Sequence, residues 1–130
     1  MITVEITYEH PTLKRIKTTG FKPYTKIKID GIEFELTGYG CLKKDACLYL
    51  MCRGLSCKVV QCGHAYRYRW FVDGKDFYCS GQMILPFMLT GNKASGLGKV
   101  YMPKYIDEWP ARDRQLLNRV LNRKEVTANA

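Results

Sequence analysis

The feature that most constrains this chain is an Asp-Gly pair at residues 30–31 with strictly alternating residues on both sides. Asp-Gly is a preferred dipeptide for the type I′ turn, whose two central residues both need positive φ. With a two-residue turn, Ile29 lies opposite Ile32 and Ile27 lies opposite Phe34, while lysines face glutamates on the other side. The pattern predicts a β-hairpin with one apolar face and one face that neutralises its own charge.

A second Asp-Gly pair, at residues 73–74, predicts a second hairpin. One face of it is apolar and is expected in the core, whereas the other carries Arg67 and Arg69 with Tyr78 opposite. Arginine beside an aromatic ring is suited to neutralising phosphates and stacking on bases. This basic aromatic face is the strongest functional signal in the sequence. The predicted cross-strand pairs are Trp70–Phe77, Tyr68–Cys79, Arg69–Tyr78 and Arg67–Ser80.

Three further segments favour strands, because they are short and apolar or alternate in polarity: residues 2–8, 56–62 and 100–105. Residues 13–20 are a weaker candidate. Residues 46–53 fit a short helix or a buried strand equally well, with Asp45 as a candidate cap and Gly54 as a stop.

Residues 110–124 predict a C-terminal helix with a buried stripe of leucine and valine, preceded by Asp107 or Trp109 as its cap. We expect residues 1–130 to form one α+β domain, with residues 126–130 frayed at its end. Its core is expected to be an antiparallel sheet of five to seven strands, flat or curled toward a partly open barrel, with the C-terminal helix packed on one face.

The chain is strongly basic, with a formal net charge of +9, and the excess is confined to one part of it. Residues 1–40 carry six basic and five acidic side chains, whereas residues 41–130 carry 15 basic and seven acidic ones. A charge of this size attracts polyanions, so nucleic acid or an acidic protein surface is the expected partner. The N-terminus lacks the features of a secretory signal and no apolar stretch is long enough to span a bilayer, which predicts a cytoplasmic protein with no membrane partner. The oligomeric state is not set by the sequence.

Six cysteines raise the questions of metal binding and catalysis. No Cys-x₂-Cys pair is present, and the best tetrahedral zinc set combines Cys57, Cys62 and Cys79 with His64. A nucleophilic pair of Cys79 and His64, oriented by Asp73 or Asp76, is the corresponding catalytic arrangement. Buried structural thiols are the simpler interpretation, so we expect no cofactor and no enzyme activity.

Three other segments are candidates for binding. Residues 91–98 form a glycine-rich loop that lacks the P-loop pattern, although its amides with Lys93 and Lys99 are suited to an anion. Residues 83–89 are unusually apolar and fit an edge strand in the core better than an exposed patch for a protein partner. The predicted C-terminal helix carries an arginine line that would extend a basic surface; its members are Arg112, Arg119 and Arg123.

These features favour a non-enzymatic binding protein for an anionic partner, most of all nucleic acid, through the basic aromatic face. A second hypothesis is an accessory inhibitor or adaptor of the kind found in phages and other mobile elements, which would bind a host nucleic-acid-handling protein. A third is a pocket around the glycine loop that sequesters an anionic nucleotide.

Overall fold

The computed structural model describes residues 1–8, 25–37, 40–89 and 100–129. Within them the chain has the expected α+β fold, with antiparallel hairpins and a C-terminal helix. The described strands divide between two sheets that do not close into a barrel. The weak strand candidate at residues 13–20 and the glycine loop at 91–98 lie outside the described residues.

Eight strands and two α-helices make up the described part of the chain. The strands are β1 (Val4–Tyr8), β2 (Thr25–Ile29), β3 (Ile32–Glu35), β4 (Cys57–Cys62), β5 (Ala65–Val72), β6 (Lys75–Ser80), β7 (Phe87–Leu89) and β8 (Val100–Pro103). The helices are α1 (Lys44–Cys52) and α2 (Ala111–Asn129).

The first sheet has the order β1-β2-β3 and contains the predicted Asp-Gly hairpin in the predicted register. Asp30 and Gly31 have φ of 53° and 81°, as a type I′ turn requires. The apolar face of the hairpin is almost completely buried. On the charged face, Lys26 Nζ lies 3.0 Å from Oε1 of Glu33, which is diagonal to it across the two strands. In β1, Val4 is buried but Ile6 is 43% exposed, so the expected apolar face of that strand is only partly covered.

The second sheet has the order β6-β5-β4-β8-β7 and contains the second predicted hairpin. Its register is the predicted one, and Asp73 and Gly74 again have positive φ. Trp70, Phe77 and Cys79 are buried in the core, which confirms the predicted inner face.

Helix α1 is the most deeply buried element of the fold. Its residues 46–51 are all between 0% and 3% exposed, so it is apolar on every side. A helix surrounded by core carries no amphipathic period, which is why its sequence fits a strand equally well. Gly54 ends it as predicted, with φ of +86° and a Schellman pair of hydrogen bonds from Gly54 N to Met51 O and from Leu55 N to Leu50 O. The predicted cap, Asp45, instead lies in the first turn after Lys43.

Helix α2 packs on α1 and β3 through Leu117 and Val120. The expected caps Asp107 and Trp109 are wrong: the Pro110 carbonyl accepts the hydrogen bonds of the first turn, because the chain enters the helix from a separate 3-10 turn at Ile106–Glu108. The helix also runs beyond residue 124 and ends at Asn129, so it includes residues 126–129 of the segment whose fraying stays a prediction.

The two Asp-Gly turns converge on the start of β1, which joins the hairpins to each other. Asp30 accepts a hydrogen bond from Thr3 N at 3.0 Å, and Asp73 accepts one from Val4 N at 2.9 Å. Asp30 also accepts a 2.6 Å bond from the Tyr49 hydroxyl of α1. Because these contacts satisfy backbone donors of β1, they hold both turns and the central helix in one arrangement.

Of the residues described, neither α1 nor α2 has the length and the apolar composition needed to cross a bilayer.

Candidate functional site

The candidate site is the outer face of strands β4, β5 and β6, opposite the core. Cross-strand partners share a face, and successive residues alternate between faces. Trp70 and Phe77 are buried, so the neighbouring row formed by Lys58, Arg69 and Tyr78 faces outward. We define the outer face by three rows of side chains: Lys58–Arg69–Tyr78, Val60–Arg67–Ser80 and Phe71–Asp76.

The outer face carries more positive than negative charge. Its cations are Lys58, Arg67 and Arg69, and its only carboxylate is that of Asp76. Within the described parts of the chain, Lys58 and Arg67 form no ion pair. Arg67 Nη1 makes only a weak contact to the Cys41 thiol, at 3.7 Å. Two of the three cations are therefore not neutralised by a carboxylate of the described residues, and their charge can attract a ligand.

Arg69 is held in place by Asp76. Its Nε and Nη2 both lie 2.8 Å from Asp76 Oδ1, and this hydrogen bond raises the pKa of Arg69 above its ordinary value. A half-exposed pair of this kind adds little stability, but it sets the direction of the guanidinium. Nη1 makes no contact with the carboxylate and keeps its donors.

Two aromatic rings accompany these cations. Phe71 is 62% exposed, whereas Tyr78 is half-buried beside Arg69. An exposed phenylalanine near the end of a strand, on the face opposite the core, gains little from burial in its own fold. Its exposed ring is available to a flat ligand.

A hollow of about 560 Å³ opens at one end of the outer face, where the chain leaves α1 and enters β4. Lys58, Arg69 and Phe71 line one side, and the turn after the helix lines the other with residues 54–57. The Schellman bonds already satisfy the last turn of α1, so this wall is fixed by the helix end.

The sequence interpretation did not include Lys58 or Phe71. Phe71 continues the alternation that begins at Arg67, so it was readable from the strand pattern. Lys58 becomes part of the face only through a third tight hairpin at residues 62–65, where Cys62 pairs with Ala65. Gly63, with φ of +63° at the first central position, was the signal for this turn.

The three arginines of the predicted line on α2 differ in their contacts. Arg123 lies 5.2 Å from the centre of the Phe34 ring, pairs with Asp45 at 3.2 Å and donates to Glu33 O. These contacts tie α2 to β3 and α1 and give Arg123 a structural role. Arg112 and Arg119 are exposed and make no ion pair with a described residue. Lys93 and Lys99 lie outside the described residues, so the predicted glycine-loop site stays a prediction.

The structure does not bring together the proposed zinc ligands. Cys57 and Cys62 stand at opposite ends of the six-residue strand β4, which separates them by about 16 Å at 3.3 Å per residue. Cys79 is buried, and burial also raises the pKa of Cys57 to about 12. His64 lies in the exposed turn. Among the described residues, no group of three or more histidines, cysteines or carboxylates is arranged to hold a metal ion.

The proposed catalytic pair is not assembled either. Cys79 lies opposite Tyr68, and His64 precedes Tyr68 by four residues, which corresponds to about 13 Å of extended chain. The Cys79 sulfur instead accepts a 3.3 Å hydrogen bond from the Trp70 indole in the core. Asp73 is engaged with the backbone of β1, and Asp76 with Arg69.

The predicted edge strand in the apolar segment 83–89 is confined to its last three residues, because β7 (Phe87–Leu89) is the last strand in the described order of the second sheet. Leu85 is buried, while Ile84 is 81% exposed and Met88 is 47% exposed. The partner strand adds the exposed Met102, and the chain just beyond it adds Tyr105. We call this surface the edge ribbon.

Comparison with protein-family models, with curated proteins and with solved structures finds no match to this chain. Its functional interpretation therefore depends on the geometry and charge of the described surfaces.

Proposed function

We propose that this protein is a non-enzymatic nucleic-acid-binding module that uses the outer face of β4, β5 and β6. The observation that carries the proposal is the combination of three cations, a single carboxylate and two accessible aromatic rings on one exposed sheet face. Cations supply the sequence-independent attraction to phosphates, and aromatic rings supply stacking.

The layout of the face favours an extended polyanion over a small anion. Lys58 and Arg69 lie on neighbouring strands, with Cα atoms about 5 Å apart, and Arg67 lies two residues further along β5. The positive charge therefore spreads along and across the strands instead of converging on one point. An acidic protein would also be attracted, but its carboxylates carry no ring, whereas every nucleotide joins a phosphate to a base that can stack on Phe71. The proposal places the protein in the cytoplasm, where its thiols stay reduced.

Salt dependence tests the proposal directly. If the three cations contact three phosphates, log K falls with log salt with a slope of about −2.1 to −2.7, which is about 20- to 40-fold between 50 and 200 mM salt. Fluorescence anisotropy with labelled oligonucleotides measures this slope. Absence of binding to both single and double strands at 50 mM salt would refute nucleic-acid binding.

A pair of double variants locates the binding face. Lys58→Ala with Arg67→Ala removes two cations that lack carboxylate partners on the outer face, and should lower the slope to about −1. Arg112→Ala with Arg119→Ala removes two exposed cations of α2 that form no ion pair with a described residue, and is the matched control. If the α2 variant loses the affinity and the sheet variant keeps it, the binding surface lies on the helix.

The edge ribbon favours a second candidate function, the binding of a host nucleic-acid-handling protein. Exposed apolar side chains grouped on one surface are typical of protein interfaces. A partner held there should be lost on Ile84→Asp with Met88→Asp and kept on Lys58→Ala with Arg67→Ala, as measured by co-purification. Equal recovery of the partner protein with both double variants would show that the edge ribbon does not bind it.

A further inference from the structure

We propose that the hollow between the end of α1 and the outer face holds one unpaired nucleotide, so that the ligand is single-stranded nucleic acid. This inference rests on the proposed nucleic-acid binding and specifies which class of nucleic acid the face accepts.

The size and position of the hollow suit one nucleotide. At about 560 Å³ it falls within the range of small-molecule sites, roughly 300 to 1,000 Å³. It is open to solvent and continuous with the outer face, because Lys58 and Arg69 belong to both. A chain crossing the outer face can therefore place one residue in the hollow without leaving the cations.

The side chains that line the hollow match the parts of a nucleotide. Phe71 offers a ring that is 62% exposed, which suits stacking on a base. Lys58 and the unengaged Nη1 of Arg69 offer donors for a phosphate. Ser56 lines the same hollow, and its hydroxyl forms no hydrogen bond with a described residue, so it can bond to a base edge or a sugar hydroxyl.

A duplex does not satisfy this arrangement. Its bases are stacked on one another, so it presents phosphates and groove edges and no free base face for Phe71. Two of the three cations, Arg67 and Arg69, are also half-buried, whereas Lys58 is exposed. A flexible single strand can follow such a surface, whereas a rigid duplex reaches fewer of its contacts.

The test compares Phe71→Ala with Ile84→Ala, which truncates another exposed apolar side chain that does not line the hollow. Anisotropy titrations at 50 mM salt use a labelled 12-nucleotide single strand and a duplex of the same length. Phe71→Ala should weaken single-strand binding by about 5- to 100-fold and change duplex binding by less than twofold. Phe71→Trp should keep the single-strand affinity, and Ile84→Ala should leave both affinities unchanged.

Four results would overturn the inference, each in a recognisable way. If Phe71→Ala keeps its single-strand affinity, or if the wild-type protein prefers the duplex, the subsite is wrong while nucleic-acid binding stands. A nucleoside monophosphate that binds as tightly as the 12-nucleotide strand would show that a free nucleotide is the ligand. Absence of binding to any of these probes would remove the proposed function together with the inference. Circular dichroism of each variant confirms that the fold is kept.

Discussion

Replacing Lys44 by methionine should destabilise the protein by leaving a buried carboxylate without its partner. Lys44 lies in the first turn of α1, and its Nζ is 2.8 Å from Oδ1 of Asp113 in the first turn of α2. The Asp113 side chain is only 4% exposed, whereas that of Lys44 is 31% exposed. Methionine keeps the length and the apolar stem of lysine, so the substitution removes the charge with little change in packing.

The size of the effect follows from the unequal burial of the two partners. Removing one member of a fully buried ion pair costs about 3–5 kcal/mol. Lys44 is partly solvated, so some screening by water is already present in the wild type, and we expect about 2 kcal/mol. Asp113→Asn should cost less, about 1 kcal/mol, because the lysine it leaves behind can turn into solvent.

Urea unfolding followed by circular dichroism at pH 7, with a reductant for the thiols, measures both free energies of unfolding. The informative quantity is the difference between the two variants. Equal losses for Lys44→Met and Asp113→Asn, or a larger loss for Asp113→Asn, would refute the reasoning from unequal burial. A double variant of Lys44→Met with Asp113→Leu should recover part of the loss, since it leaves no buried charge.

Three further perturbations test other parts of the fold. Arg123→Ala should lower the free energy of unfolding by about 1–2 kcal/mol, because it removes the contact with the Phe34 ring and the ion pair with Asp45. Arg119→Ala should change the free energy of unfolding by less than about 0.5 kcal/mol. Similar losses for the two variants in urea unfolding would contradict the structural role of Arg123. Gly81→Ala should lower the free energy of unfolding by at least about 2 kcal/mol, because its Cβ would lie 2.4 Å from the backbone carbonyl oxygen of Tyr66 in β5. An unchanged thermal midpoint would show that the backbones at Gly81 and Tyr66 lie further apart than this. Burial raises the pKa of Cys57 to about 12, so the folded state keeps a proton that the unfolded chain releases above about pH 9. The free energy of unfolding should therefore fall as pH rises from about 9 to 12, by up to about 1.4 kcal/mol per pH unit for this thiol. In Cys57→Ala, the free energy of unfolding measured over the same pH range should fall less steeply by that amount.

Local sequence patterns were sufficient for the hairpins. Two Asp-Gly turns supply the positive φ angles, and alternation on both sides favours the one register that puts Ile27, Ile29, Ile32 and Phe34 on one buried face of the first hairpin and Trp70 with Phe77 on that of the second. The end of α1 at Gly54 was also predictable from the local sequence, because the Schellman hydrogen bonds involve only neighbouring residues.

The candidate site was partly predictable. Arg67, Arg69 and Tyr78 come from one hairpin and were placed on one face by its register. Lys58 was not found, because its position beside Arg69 depends on the adjoining hairpin of β4 and β5. The hollow was beyond sequence reasoning, since it exists only where the end of α1 meets the sheet.

Arg123 and α1 show most clearly where local patterns stop. A line of arginines on a helix face indicates a basic surface, but Arg123 lies over Phe34 because of the way α2 packs on β3. The apolar run of α1 is compatible with helix or strand, and burial on all sides leaves no period to distinguish them. Backbone turns and strand alternation act over a few residues, so the chain specifies its hairpins and their charged faces directly. Packing between distant elements sets which helix is central, which arginine becomes structural and where the open hollow forms.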